Sequence, residues 1–302
     1  MERITAVIIS FLRPEYTKEC IRSLKNRYEK INIIVAENGE FSADMDAFVR
    51  IYGGEYILMP FDSGVCYARN RLVEAAKTEY VLVGDDDFFY NKRAGVEKML
   101  DFMDRHPEVP LIGGKIYEDG RLLDYQGDMI LHQDHIEYIP LNDEDCQMDW
   151  GSKIKYGRCD ITFNFFLGRR EIIEQVKWDE NIKVAYEHSD WFLSLKKAGF
   201  GKVAYTPEAV AIHKPRHVAL KNEDLEKYRR FRNRKSDMDY FFKKHGIKFT
   251  IGFKGHVSKA AEVKNHKREW FATKCLEFEG VSYNPGDIII TDHPVDGMEQ
   301  RY

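Results

Sequence analysis

The sequence has no apolar run of about 18 residues, the length a helix needs to cross a bilayer. Its first residues, Met1-Glu2-Arg3-Ile4, show no basic stretch followed by an apolar one, so no signal peptide is read. Cysteine is sparse and scattered. The five residues (Cys20, Cys66, Cys146, Cys159 and Cys275) form no C-x-x-C pair. Neither a disulfide framework nor a cysteine-based zinc site is indicated. A net charge of −4 gives no global attraction to nucleic acid. Internal repeats and low-complexity tracts are absent. These absences lead to the expectation of a soluble protein in a reducing cytoplasm.

What is present suits a large core. The 302 residues are 43% hydrophobic and 13% aromatic, enough for one large domain, with or without an extension. Ile4–Ser10 is a β-branched run of the kind buried in parallel sheets. Helical spacing follows over Tyr16–Asn26, then strands at Ile31–Ala36 and Glu55–Met59, a helix over Gly64–Ala76 and a strand at Tyr80–Val83. This alternation predicts a doubly wound α/β domain with a mostly parallel sheet flanked by helices. Further on, the pattern predicts a helix over Tyr186–Ala198 closed by Gly199, and a strand over Val203–Ile212 leading to His213. The composition shifts near residue 217. Residues 221–274 hold 16 Lys/Arg against 7 Asp/Glu, interleaved with aromatics. We divide the chain into a domain at 1–217 and a basic, mainly helical extension at 218–302, with one long helix over Asn222–Lys244 and a strand near Ile288–Thr291.

The chemistry centres on Tyr80-Val81-Leu82-Val83-Gly84-Asp85-Asp86-Asp87. Adjacent unpaired carboxylates repel one another and lose solvation beside a sheet. A divalent cation would reverse that cost. At the carboxyl end of a strand the triplet reads as a metal-diphosphate site, or as an acidic turn. His213 reads as a ligand for a Mn²⁺-like ion beside carboxylates, or as a surface histidine at a strand end. Glu187 and Asp190 open a helix three residues apart, as caps or as a general base. Gly64 permits close backbone approach, and Arg69 could reach a diphosphate. Glu37 and Asn38 stand where a base or ribose could be read, or form a polar turn. Trp150, Phe163, Phe165 and Trp191 are candidate sugar-stacking surfaces, with most phenylalanines assigned to the core.

Together these pieces resemble the GT-A glycosyltransferases. The nearest likeness is to the β-1,4-N-acetylgalactosaminyltransferases of glycosyltransferase family 12, relatives of the broad family 2. The matching blocks run in order: Phe11-Leu12-Arg13-Pro14, Met59-Pro60-Phe61-Asp62-Ser63-Gly64, Ala68-Arg69-Asn70, Thr78 to Phe88, Ile112-Gly113-Gly114, Asp160 with Asn164-Phe165-Phe166-Leu167, and His188-Ser189-Asp190-Trp191-Phe192. The resemblance implies a metal-dependent, inverting transfer of GalNAc or a related hexose from a UDP-sugar to a glycan hydroxyl. It implies Mn²⁺ or Mg²⁺ held by Asp87, His213 and Asp85. It sets Phe11, Arg13, Glu37, Asn38, Asp62, Gly64, Arg69, Asp85 and Asp86 on the nucleotide-sugar. It sets Asp190 (preferred) or Glu187 as base, with His188 beside them, and Asp160, Asn164 and Trp191 on the acceptor. The family usually has two aspartates where this chain has Glu37-Asn38. A nucleotidyltransferase is the alternative enzyme, disfavoured because the loop Phe11–Glu15 has no glycine. A non-catalytic nucleotide- or glycan-binding module is the other. Residues 221–274 could touch an anionic inner membrane face carrying a lipid-linked acceptor, or form a solvated helix packed on the core or on a second subunit.

Overall fold

The computed structural model describes residues 1–214, 222–232, 235–254, 256–259 and 289–290. The chain begins with β1 (Ile4–Ser10), α1 (Pro14–Arg27), β2 (Asn32–Glu37), α2 (Ala43–Ile51), β3 (Glu55–Leu58), α3 (Val65–Ala75) and β4 (Tyr80–Val83). Next come β5 (Phe88–Phe89), α4 (Val96–Arg105), β6 (Leu111–Glu118), β7 (Arg121–Leu123), β8 (Gly127–Leu131) and β9 (His135–Pro140). Then follow β10 (Gln147–Asp149), β11 (Ile154–Cys159), β12 (Phe166–Arg169), α5 (Arg170–Gln175), α6 (Glu187–Lys197) and β13 (Val203–His213). The remaining described elements are α7 (Asn222–Arg232), α8 (Lys235–His245), β14 (Phe249–Ile251), β15 (His256–Lys259) and β16 (Ile289–Ile290).

The main sheet runs β10-β11-β13-β6-β12-β4-β1-β2-β3. It is parallel from β4 through β1 and β2 to β3, and again between β6 and β13. The antiparallel β12 fills the gap between β4 and β6. Side-chain alternation divides the core in two. Ile4, Ala6 and Ile8 of β1 pack with Cys20, Ile21 and Leu24 of α1 and with Met99 and Phe102 of α4. Val7 packs on the opposite face with Ala68 and Leu72 of α3 and Trp191 and Phe192 of α6. Pro14 starts α1, where its fixed φ costs nothing. Ser42 caps α2 by accepting from the Met45 N–H at 3.3 Å.

The chain steps outward from β1 to β2 and β3, then crosses back through α3 to β4 on the other side of β1. That reversal opens a crevice at the carboxyl ends of β1 and β4, the usual ligand position in such sheets. Gly64 opens α3 at φ 97°, and a Cβ there would lie 2.8 Å from the Lys183 Cα. The glycine therefore serves a close approach of two backbone segments, α3 against the loop before α6.

The helix expected over Asn222–Lys244 is present as two described helices, α7 and α8, with residues 233–234 between them outside the described set. A second sheet, β16-β15-β14-β9-β8, joins part of the C-terminal segment to the hairpin of β8 and β9. Phe241 and Phe242 of α8 and Phe249 and Ile251 of β14 share the core of α3 and α6. No helix among the described residues is long and apolar enough to cross a membrane. Most of residues 260–302, including residues 260–274 of the basic stretch, lies outside the described residues.

Candidate active site

Two strand ends and one helix start line one cleft, and a third strand end reaches one of its acids. Asp85, Asp86 and Asp87 follow β4, His213 ends β13, and Phe11 and Arg13 follow β1. Glu187 is the first residue of α6, where a helix N-terminus favours an anion. The cleft is lined by Phe11, Arg13, Asn38, Asp62, Gly64, Arg69, the three aspartates, Glu187, and Tyr228, Phe231 and Arg232 of α7.

Two arginines hold the acids. Arg13 is buried and donates from Nη1 to Asp87 Oδ2 at 2.7 Å and from Nη2 to Asp86 Oδ1. Its guanidinium lies under the Tyr228 ring, 4.5 Å from the centroid. Arg69 spans Glu187 Oε1 and Asp85 Oδ1, each at 3.4 Å. Burial pushes the Asp85 and Glu187 carboxyls above their ordinary range, with Arg69 opposing in both. Burial likewise raises Asp86, against the pull of Arg13. Arg232 acts in the same downward direction on Asp85, Asp86 and Glu187.

His213 is held between two carboxylates. Its Nδ1 donates to Glu118 Oε1 at 2.7 Å, and its Nε2 lies 3.2 Å from Asp87 Oδ2. Burial disfavours the imidazolium, but Asp87 and Glu118 outweigh it and raise the ring to about 10. A proton thus sits where a cation would satisfy the same charges. The carboxylate–imidazole relay is how proteins aim a metal-binding histidine. Oδ2 of Asp85 is buried without a hydrogen-bond partner. Carboxylate oxygens with one imidazole suit Mn²⁺ or Mg²⁺. Among the described residues no group of three or more His, Cys, Asp or Glu side chains is placed to hold a metal ion by itself. Ions of this kind usually take their remaining ligands from water and substrate phosphate, so the donor set fits.

Several residues singled out from sequence lie elsewhere. Asp190, the preferred base, does not line the cleft. Its carboxylate is 2.8 Å from His245 Nε2 and 2.7 Å from Lys244 Nζ, both on α8. Trp191 is 1% exposed, stacked between Trp178 and Phe166, with its indole N–H donated to the Val176 carbonyl. It belongs to the core and offers no surface to a glycan. Asp160 accepts from the Met129 N–H at 2.9 Å and pairs with Lys196 at 2.6 Å, tying β8 to α6. Glu37 is turned inward, accepting from the Gly39 N–H at 2.9 Å and the Tyr56 hydroxyl at 3.1 Å. His188 is buried against the Thr162 carbonyl, and burial pushes its ring down to about 3, so it is neutral. Phe163 and Phe165 are buried, whereas Trp150 is 82% exposed.

Asn38 does reach the cleft, its Oδ1 accepting from the Ser63 N–H at 3.0 Å and hydroxyl at 2.6 Å. Asp62, at φ 51°, is braced by Lys183 Nζ, which donates to its carbonyl at 2.6 Å. Sequence reasoning missed Glu118, Tyr228, Phe231 and Arg232. A carboxylate closing a strand was the available signal for Glu118. The basic, aromatic composition after residue 217 was the signal for α7.

Residues 5–177 match the profile of Glycosyl transferase family 2. Beta-1,4 N-acetylgalactosaminyltransferase 2 of Mus musculus is 27% identical over 242 residues, 75% of this chain and 43% of its own length. Beta-1,4 N-acetylgalactosaminyltransferase 1 of Mus musculus is 28% identical over 239 residues, 76% of this chain and 43% of its own. The chain spans less than half the length of these relatives. Among solved structures, S. aureus TarS aligns with a TM-score of 0.51 at 14% identity, over 76% of this chain and 39% of its own. GalNAc-T7, solved with UDP, GalNAc and Mn²⁺, aligns with a TM-score of 0.54 at 14% identity, over 79% and 49%. At that identity the likeness concerns the fold, which is GT-A as expected from the sequence. With more than half of its length matched to that profile, the chain belongs to glycosyltransferase family 2.

Proposed function

We propose that the chain transfers a hexose, GalNAc or a close relative, from a UDP-sugar to a glycan hydroxyl in one inverting displacement. The observation that carries this reading is the convergence of Asp85, Asp87 and Glu187 on one cleft at the sheet's switch point, with His213 Nε2 3.2 Å from Asp87 Oδ2. The names of the relatives, and the UDP, GalNAc and Mn²⁺ with which GalNAc-T7 was solved, support the donor class.

Each residue then has a task. Phe11, Asn38 and Asp62 line the part of the cleft before α3 and are suited to the nucleoside. Asp87 and His213 would hold the divalent cation, which when bound neutralises the departing diphosphate. Arg13 fixes the orientation of Asp86 and Asp87 by binding both. Arg232 adds a positive charge from α7. Glu187 takes the proton of the acceptor hydroxyl as that oxygen bonds to the sugar carbon and the carbon–phosphate oxygen bond breaks. Its buried, upward-shifted carboxyl is a better proton acceptor than an exposed one. Asp190, neutralised by α8, is unsuited to that step.

The test is UDP release from a panel of UDP-hexoses with Mn²⁺ and oligosaccharide acceptors. Metal-dependent turnover of at least one donor is expected. Absence of turnover across the panel sinks the reading.

A further inference from the structure

Asp237 lies in the first turn of α8, buried, and directs one carboxylate oxygen at a single stretch of backbone. Its Oδ2 accepts from three successive N–H groups: those of Lys183 at 3.0 Å, Val184 at 2.8 Å and Ala185 at 3.2 Å. Successive amides that converge on one point form a seat for an anion.

The stretch held in this way delivers Glu187 to the cleft. On its other side the Lys183 carbonyl accepts from the Val65 N–H at 2.6 Å, where Gly64 allows the close approach of α3. Val184 is buried and lines the cleft together with Glu187. Tyr186 then adopts φ 65°, the left-handed region that a bulky side chain rarely enters. Such a conformation persists where its surroundings hold it. Here the Tyr186 ring stacks on Phe241 of α8, with 4.8 Å between centroids. The Tyr186 carbonyl accepts from the Asp190 N–H at 2.9 Å and so starts α6. Lys244 and His245 of α8 in turn hold the Asp190 side chain. One helix thus grips the chain on both sides of Glu187, whose own carboxylate reaches Arg69.

We propose that Asp237 is a positioning residue for the transfer reaction, aiming the Glu187 carboxylate at the acceptor hydroxyl by anchoring residues 183–185. The proposal rests on the reading of Glu187 as general base. An acceptor that served only to satisfy three amides would stabilise the fold without reaching the chemistry. The left-handed Tyr186 connects the two, because a shift in residues 183–185 changes the direction in which the chain enters α6. A misplacement of about 1 Å is enough to cost roughly 10²-fold in rate.

The experiment uses the full chain. Wild type is compared with Asp237→Asn, which keeps one oxygen able to accept the same bonds, and with Asp237→Ala, which keeps none. Each is also combined with Glu187→Gln. The readouts are amide hydrogen exchange over residues 183–185, UDP affinity, and kcat for transfer per folded molecule. Asp237→Ala should speed exchange at these amides about tenfold or more, the worth of roughly one hydrogen bond. It should lower kcat by about 10–10²-fold and leave UDP affinity within about twofold. Asp237→Asn should recover most of both losses. In the Glu187→Gln background, Asp237→Ala should lower kcat by less than about threefold, because the group it aims has gone. Equal loss of kcat in the two backgrounds overturns the proposal. So does faster exchange with kcat per folded molecule unchanged, since Asp237 would then serve the loop alone. If Asp237→Ala does not fold, Asp237→Glu decides: its longer side chain keeps a carboxylate but displaces the amides, so kcat should fall with Glu187 present and not in Glu187→Gln, and kcat within twofold of wild type overturns the proposal. A wild-type enzyme that turns over no UDP-hexose defeats the transferase reading itself, and the inference with it, whatever the exchange shows.

Discussion

Glu187 and Asp190 stand three residues apart at the start of α6, yet only Glu187 lines the cleft. Spacing alone sets both on one side of a helix. What separates them is α8, whose Lys244 and His245 lie more than fifty residues further along the chain. Nothing local to the Glu187–Asp190 segment announces that partner. The two variants should therefore differ in kind. Glu187→Gln is expected to lower kcat by about 10²–10⁴-fold, the range for losing a general base, while UDP binding persists. Asp190→Asn should keep kcat per folded molecule within a few-fold but lower stability by on the order of 3 kcal/mol, because a nearly buried ion pair loses one partner. Turnover and urea midpoints on both proteins check this, and a reversed pattern would restore Asp190 as base. The acidic triplet stood out because three adjacent carboxylates after an apolar strand need cationic partners, and the structure supplies Arg13 and Arg69. Trp191 was misread for the opposite reason: an aromatic on a helix has the same local signature whether it meets a sugar or Trp178.

At the scale of elements, most strands and helices of the first 118 residues follow from periodicity, α2 and β5 excepted, and so does the position of the crevice. The role of α7 does not. Its helical pattern is plain, but its packing on Phe11 and Phe61 joins residues about 170–220 positions apart. Phe231 meets the rings of Phe11 and Phe61 at 5.6 and 5.5 Å, and Tyr228 covers Arg13. With α7 in place the cleft has a free volume of about 40 Å³, whereas pockets for small organic ligands span roughly 300–1,000 Å³. If the cleft takes a nucleotide-sugar as proposed, its lining has to move apart, and α7 is the part of that lining joined from furthest along the chain. Hydrogen exchange over residues 222–232 should change when UDP and Mn²⁺ are added, while β1 and β4 keep their protection. Unchanged exchange in α7 at saturating UDP would contradict that movement. Phe231→Ala should ease entry and raise the association rate of UDP.

On the scale of the whole molecule, the composition break near 217 marks a change of surface more than a change of core. Phe241, Phe242, Phe249 and Ile251 belong to the same apolar cluster as Leu72 and Phe192. A chain ending at residue 217 is expected to lose its cooperative thermal transition, since it would leave that cluster open to water. A truncated chain that melts at the wild-type temperature would refute this. It follows that contact of the basic segment with anionic vesicles has to be tested by charge substitutions in the full chain. The site itself depends on the whole fold, because Asp87 follows a central strand, His213 ends a strand separated from it by two others, and Glu187 starts a helix. The central claim is that Asp87 and His213 hold a divalent cation together with the donor diphosphate. Its most direct test is Mn²⁺ binding by electron paramagnetic resonance in the presence of UDP. The account predicts one tight ion per wild-type molecule and affinity at least about tenfold weaker in Asp87→Asn and His213→Gln. Wild-type affinity in both variants would contradict it.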